Sequence, residues 1–391
     1  MPATVTTAMR AMARANLESP LCPRDRHLWS ANARGLYQSL KKLKPARRNA
    51  MMFFLRFVIK RLITLAPVIL GVTFLTFVTS RLVVPDPARA WAGLRASPST
   101  LEAYAIRYHL RDPIYMQYLY FLLDLLRGDW GTSPVNGQPV LEELLRYFPA
   151  TLELSLASLI ITALLSIGLG VVAAARRERW QDRLVRLFAL GTYSFPPFLL
   201  ALLVQLVLFY ALGLLPSGGR LSPDISPPTG ITGLYLIDSL LTGNLLAFKD
   251  ALLHILMPAL TLALAVFGLV TRLIRSSMIE VLQQDYIRTA RAKGLGEGLV
   301  LFKHALRNAA IPAVTALSLI FAYMLGGAVI VEFVFNWPGV GRFAVQSALS
   351  LDLPAVMGAT VLYALSVTLL NLAADLGYAW LDPRIREIRA G

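Results

Sequence analysis

The sequence predicts an all-α integral membrane protein with about six transmembrane helices. Three observations predict it. Of the 391 residues, 56% are hydrophobic and only 16% are charged, where a soluble domain carries about a quarter charged residues. The apolar residues gather into charge-free runs of about 20, the length that crosses the hydrocarbon core of a bilayer. The basic residues stand at the edges of those runs, which is the pattern of membrane topology. The net charge of +15 is explained in that way, and no recognised motif points to nucleic acid.

Six runs fit a span: Leu62–Ser80, Leu154–Ala175, Leu187–Leu212, Ala251–Thr271, Ile311–Val331 and Val356–Ala374. The first is too long for the apolar region of a signal peptide and is read as a retained helix. Of the 38 lysines and arginines, 28 fall in the N-terminal segment, in 176–186, in 272–307 or in the C-terminal tail. By the positive-inside rule these are the cytoplasmic segments, so both termini are expected in the cytoplasm of a multi-pass protein.

The spans divide the chain. Residues 1–50 carry ten basic residues against only Glu18 and Asp25, and are read as a basic, disordered cytoplasmic tail, or as the product of a start placed ahead of Met51 or Met52. An Arg-rich, acid-poor start also has the composition of an organelle transit peptide. The first transmembrane helix occupies 51–81. An extracytoplasmic element follows over 82–150, with one helix expected over Leu101–Leu126. There Leu101, Tyr104, Ala105, Tyr108, Tyr115, Tyr118 and Leu122 share a face, before a turn-rich stretch at Gly128, Gly131, Pro134 and Gly137. A core five-helix domain covers 151–382, and a cytoplasmic tail covers 383–391.

Several chemistries are excluded by what the chain lacks. Cys22 is the only cysteine, so no intrachain disulfide or CxxC pair exists. His27, His109, His254 and His304 are scattered and make no HExxH pair, so no metal site is expected. No phosphate-binding G-x4-GK[ST] loop is present, and neither is a Gly-x-Ser-x-Gly nucleophile or a paired intramembrane aspartate. No enzymatic activity is therefore expected. An ion-coupled carrier would place charges near mid-membrane. Here Glu153 and Glu332 sit at outer span ends and Asp375 at an inner one, as interfacial polarity does. A secondary transporter and a non-transporting scaffold or sensor are the competing classes.

The segment that carries a function is the cytoplasmic loop 276–312, SSMIEVLQQDYIRTARAKGLGEGLVLFKHALRNAAIP. Its pattern is helix, glycine break, helix. Met278, Val281, Leu282 and Tyr286 lie at helical spacing, Gly294, Gly296 and Gly298 interrupt, and Pro312 is expected in the first turn of the next span. Such a turn can insert as a rigid knob into a partner's groove and pass displacement to the spans on both sides. Tyr286, Ile287, Ala290 and Leu295 supply the apolar part, with Arg288, Arg291 and Lys293 as the charge. Ala290 and Gly294 are small enough for close approach. An ordinary connecting loop with topology-setting arginines is the plainer alternative. Pro196, Pro197 and Pro258 lie inside spans, where proline frees backbone carbonyls, and are either gating residues or static kinks. His254 is read as a packed histidine. Trp337–Gly341 is read either as a short structured hairpin on the outer side or as a static interfacial anchor.

This loop resembles the coupling loop of ABC importer permeases. Aligned on Gly294, the general EAA-x3-G-x9-I-x-LP pattern keeps only Ala290 and Leu306. Arg288, Thr289, His304 and Arg307 depart from it. DYIRTARAKGL…HALRNAAIP is similar to the variant found in the dipeptide/oligopeptide/nickel permease family. GDWGTSPVNG with PATLELS, GGAVIVEFVFNWPGVGR and YAWLDPRIR resemble the same family, so the likeness covers essentially 52–387. It implies a type I importer permease fold and a place in a bacterial inner membrane. It also implies a pore shared with a second, related permease, two cytoplasmic ATP-binding subunits and an extracytoplasmic binding protein. ATP and Mg would be held by those partners, with no cofactor in this chain. The implied ATPase contact comprises Tyr286, Arg288, Thr289, Ala290, Arg291, Lys293, Gly294, His304 and Leu306. The implied ligand is a di- or oligopeptide, or nickel. The scarcity of His and Cys in the spans favours the peptide.

Overall fold

The computed structural model describes residues 63–81, 87–92 and 96–381. Every regular element among them is a helix. Helix α1 is Ile63–Arg81. Three shorter helices follow, α2 (Pro87–Ala92), α3 (Pro98–Arg107) and α4 (Ile114–Arg127). Next come α5 (Val140–Ala175), α6 (Trp180–Ser194) and α7 (Pro197–Gln205), the last continuing as a π turn over Leu206–Ala211. Then come α8 (Tyr235–Leu241), α9 (Leu245–Leu282) and α10 (Asp285–Ala292). Helix α11 (Glu297–Leu299) runs through a π stretch, Val300–Ala305, into α12 (Leu306–Val334). The described chain ends with α13 (Val340–Leu349) and α14 (Leu353–Leu381). The expected tails 1–50 and 383–391 and the side chain of Asp375 lie outside the described residues.

Five of these helices are long and apolar enough to cross a membrane, and the sixth expected span is bent. The run Leu187–Leu212 is not one straight helix. Helices α6 and α7 meet at 111°. The cause is local: Phe195 and Pro196 are extended, with ψ of 133° and 141°. A residue before proline is pushed out of the helical region, and Pro197 then fits the first position of the new helix. Pro196 and Pro197 therefore form a corner. Pro258 is different, lying buried inside the unbroken α9. Pro312 is also interior to a helix and not in its first turn, since the helix starts upstream at Glu297. Helices α5 and α9 have 36 and 38 residues, about 54–57 Å at 1.5 Å per residue. Both overrun a hydrocarbon core of about 30 Å.

Helix α9 is the centre of the packing, with α5, α6, α7 and α12 around it. Small side chains let the helices approach, the usual device where lipid gives no hydrophobic drive between them. On α5, Ser155, Ser158, Thr162 and Ser166 are buried. A Cβ on Gly170 would come within 2.8 Å of Ile274 Cγ2, and one on Gly268 within 2.5 Å of the Ala189 carbonyl oxygen. Ile255, Met257, Phe267, Ile274 and Met278 of α9 are almost fully buried. One ion pair pins α6 to α9. Arg275 donates to the fully buried Asp182 through Nε at 2.6 Å and Nη2 at 2.8 Å.

The region between the first two spans differs from expectation in two ways. The single helix over Leu101–Leu126 is broken, because Pro113 cannot continue a helix and His109 takes a positive φ of 52°. In addition, α4 packs along α1. Tyr118 Oη donates to the Leu70 carbonyl at 3.0 Å and meets Thr73 Oγ1 at 3.0 Å, while the Tyr118 ring packs on Phe74 and Phe77. Leu70 lies well inside α1, so this part of the element borders a span.

Candidate functional site

The loop at the α9–α12 end is built as a rigid hairpin of helices. Gln284 is extended (ψ 149°) and separates α9 from α10. In α10, Ile287 and Ala290 are three residues apart and so share a face. That face is buried, at 0% and 7% exposure, against the same core that holds Ile274, Met278, Val300, Ala305 and Ala309. The turn closes at Gly294, whose φ of +76° is the left-handed conformation that glycine adopts without strain. Leu295 N–H then reaches back to the Ala290 carbonyl at 3.4 Å, and Gly294 N–H to that of Arg291 at 2.9 Å.

Two side-chain contacts brace the hairpin. Arg291 donates to Glu297 through Nε at 3.1 Å and Nη2 at 2.6 Å, closing the turn. Asn308 Nδ2 donates to Tyr286 Oη at 2.8 Å, tying α10 to α12. Displacement of α10 must therefore reach both α9, through the chain, and α12, through Tyr286 and the buried Ile287. The hydrogen bonds that Arg291 donates to Glu297 also favour its charged form, raising its pKa.

The residues singled out from sequence fall into three groups here. Arg288, Thr289, Arg291, Lys293 and Gly294 are exposed, and Tyr286 is 41% exposed. His304 and Leu306 are half-buried, on the π stretch and at the start of α12. Ala290 and Ile287 turn inward. The small side chain at Ala290 thus packs within the chain, and the surface open to a partner combines the basic residues with the exposed Tyr286, Leu299 and Phe302. Space around Gly294 is open, with nothing within 4 Å of a Cβ built there. The prolines Pro196, Pro197 and Pro258 are not near this hairpin in the chain's element order and mark a corner and a buried helix interior.

The other end of the bundle contains a set of buried polar contacts that sequence spacing did not bring together. Trp337 is 1% exposed, and its Nε1 donates to the Ala150 carbonyl at 2.9 Å. Thr151 Oγ1 donates to the fully buried Glu332 at 2.6 Å and accepts the Val340 N–H at 2.9 Å. Arg342 N–H reaches the other Glu332 oxygen at 3.0 Å. Gly339 and Gly341 leave no room for a Cβ beside that carboxylate. Trp337–Gly341 is therefore a turn into α13, not a hairpin. Nearby, Arg220 is buried over the Tyr235 ring and pairs with Glu153, through Nε at 3.0 Å and Nη2 at 2.6 Å. His254 is buried with Nδ1 2.9 Å from the Asp250 carbonyl, as a packed histidine. Burial alone would raise the Asp238 pKa. The Thr232 hydroxyl and the backbone N–H groups of Thr232, Gly233 and Ile231 outweigh it and hold the carboxyl below its usual range. Side-chain partners 67 to 189 residues apart leave no local signal. The one clue was that charged residues stood at span ends at all.

No group of three or more His, Cys, Asp or Glu side chains able to hold a metal occurs among the described residues.

Comparison with known proteins gives a consistent result. Residues 166–387 match the family model described as binding-protein-dependent transport system inner membrane component, and 54–155 match the model of its N-terminal region. A probable D,D-dipeptide transport system permease of Escherichia coli K12 is 49% identical over 319 residues, 81% of this chain and 94% of that protein. A di/tripeptide transport system permease of Pseudomonas aeruginosa is 40% identical over 338 residues, 86% of this chain and all of that protein. A glutathione transport system permease of Salmonella typhimurium is 38% identical over 332 residues, 85% and 99% of the two chains.

Proposed function

The chain belongs to the family of binding-protein-dependent transport system inner membrane components, and we propose that its hairpin 285–305 is where a cytoplasmic ATPase drives the import of short peptides. It is a membrane permease subunit of an ABC importer, a transport component and not an enzyme. The ligand proposed is a di- or tripeptide. The D,D-dipeptide, di/tripeptide and glutathione permeases among its relatives support this choice over nickel.

The observation that carries the coupling assignment is the two-sided build of α10. Its inner face, Ile287 and Ala290, is locked into the core, and its outer face presents Arg288, Thr289, Arg291 and Lys293. A knob of this kind passes on a push without being deformed by it. The partners proposed are two ATP-binding subunits docked on this face, a second permease completing the pore, and a binding protein on the opposite side. The hairpin side, with both termini, is proposed to be cytoplasmic, as its basic residues suggest. Alternating access then requires two packings of the spans that ATP binding by the partner biases in turn. The elbow at Pro196 and Pro197 is a natural pivot for such a change, while Pro258 is a packed element of α9.

The test is Gly294→Trp in the assembled transporter. A Cβ there meets nothing within 4 Å, and the left-handed φ of +76° costs any side chain about 1–2 kcal/mol in the turn, so Gly294→Ala, which carries that strain without the ring, is the control. Peptide uptake should fall at least tenfold, an interface cost of about 1.4 kcal/mol or more, while the level of the chain in the membrane stays normal. Normal uptake at normal level would falsify the assignment.

A further inference from the structure

We propose that the groove between α6 and α9 is a binding site for an anionic phospholipid. The groove is about 370 Å³ and is lined by Arg186, Leu190 and Tyr193 of α6 and by Leu269, Arg272 and Arg275 of α9. Its character is graded along its length. The Asp182–Arg275 pair fixes one end and the close approach of Gly268 to Ala189 fixes the other, so the two helices run antiparallel. The arginines gather at the end toward Asp182, on the hairpin side of the bundle. The apolar and aromatic residues continue toward the elbow and the middle of the bilayer. That gradient matches a lipid, with a charged headgroup outside and an acyl chain inside.

Three further observations point the same way. Arg275 and Arg186 both pair with Asp182, through Nε at 2.6 and 3.6 Å, and Glu178 adds its charge near Arg275, so these two arginines are already matched inside the chain. Arg272 makes no ion pair among the described residues and is exposed. Thr271 lines the groove, is 1% exposed, and its buried hydroxyl has no hydrogen-bond partner. A phosphate oxygen or headgroup hydroxyl would supply one. Trp180 begins α6 and is 65% exposed, as an aromatic side chain at headgroup level is. Basic pockets between membrane helices are a recurrent form of anionic-lipid recognition.

The experiment uses the full transporter complex in mild detergent, titrated with phosphatidylglycerol or with phosphatidylcholine of the same acyl chains and read by native mass spectrometry. The wild-type complex should retain phosphatidylglycerol preferentially, and added salt should erode the preference. Arg186→Gln and Arg272→Gln should each weaken retention roughly fivefold and leave phosphatidylcholine unchanged. Arg272→Lys, which keeps the charge, should retain the preference. Equal retention of the two lipids by the wild type overturns the proposal, as does a preference that survives both glutamine variants. Leu190→Cys carrying a thiol-attached photocross-linker that captures the second permease in saturating phosphatidylglycerol also overturns it, in favour of a subunit contact.

Discussion

The two ends of this bundle are built on opposite principles. At the end that carries Trp337, carboxylates are buried and the loops are wrapped around them. Glu332 gathers Thr151 and the Arg342 backbone, Glu153 holds Arg220, and Asp238 collects the backbone of its own loop. Gly339 and Gly341 have no space for a side chain. At the hairpin end only Ile287 and Ala290 are buried in α10, the charged groups of that helix are exposed, and Gly294 stands in open space. Polar groups that are satisfied inside the chain fix a conformation, whereas polar groups left facing outward are available to another molecule. The first end is a fastened cap and the second a surface, and substitutions should separate them.

The largest effect is expected in the cap. Glu332→Ala leaves the Thr151 hydroxyl and the Arg342 N–H buried without their acceptor. Removing the acceptor in this way costs about 1–3 kcal/mol for each donor left unpaired, a large fraction of total stability. Membrane levels should fall sharply and thermal unfolding in detergent should shift down, with Glu332→Gln, which keeps an acceptor, less affected. If Glu332→Ala were as stable as the wild type, the cap would not be the fastened end.

Asp238 sharpens the contrast through pH. Its carboxyl is held below the usual range, so its stabilising contribution is present above the unfolded aspartate value of about 3.9. It is lost as pH falls through the lower folded value. Proteolysis of the 221–244 loop should accelerate as the pH drops through that acidic window. Asp238→Ala should be cleaved faster at neutral pH, by about 2 kcal/mol of lost charge-assisted hydrogen bonding, and should lose the acid dependence. An acid dependence unchanged in Asp238→Ala would assign it to another group.

How much of this was legible beforehand follows the same division. Span positions, the hairpin and its exposed arginines could be read from sequence, because hydropathy and glycine placement are local signals. The bend at Phe195–Pro197 could have been suspected from the double proline, yet the continuous apolar run over Leu187–Leu212 masked it. That Ile287 and Ala290 share a face could be read from their spacing, but not whether that face meets the chain's own core or a partner. The cap was illegible for a different reason. Thr151 and Glu332 are 181 residues apart, and nothing near either predicts the other. The break at Pro113, by contrast, was written in the residue itself.

At the hairpin the effects should be smaller in stability and larger in coupling. Gly294→Asn should be tolerated, since asparagine enters the left-handed region, whereas Gly294→Val should cost about 1–2 kcal/mol in the turn. Uptake at equal membrane level would rank them, and equal uptake by the two would show that the turn does not transmit strain.

The smallest change is Tyr286→Phe. It removes one hydroxyl and with it the Asn308 hydrogen bond, worth about 0.5–1.5 kcal/mol, and leaves the buried Ile287 in place. Unfolding should barely move. What should change is the ratio of peptide taken up to ATP hydrolysed, because the link from α10 to α12 is weakened while the link from α10 to α9 through the chain is intact. Asn308→Ala should give the same ratio, and the double substitution no more than either alone, since both delete one bond. Additive losses would mean that Tyr286 and Asn308 act separately. The displacement of α10 would then reach α12 through the packing of Ile287 alone.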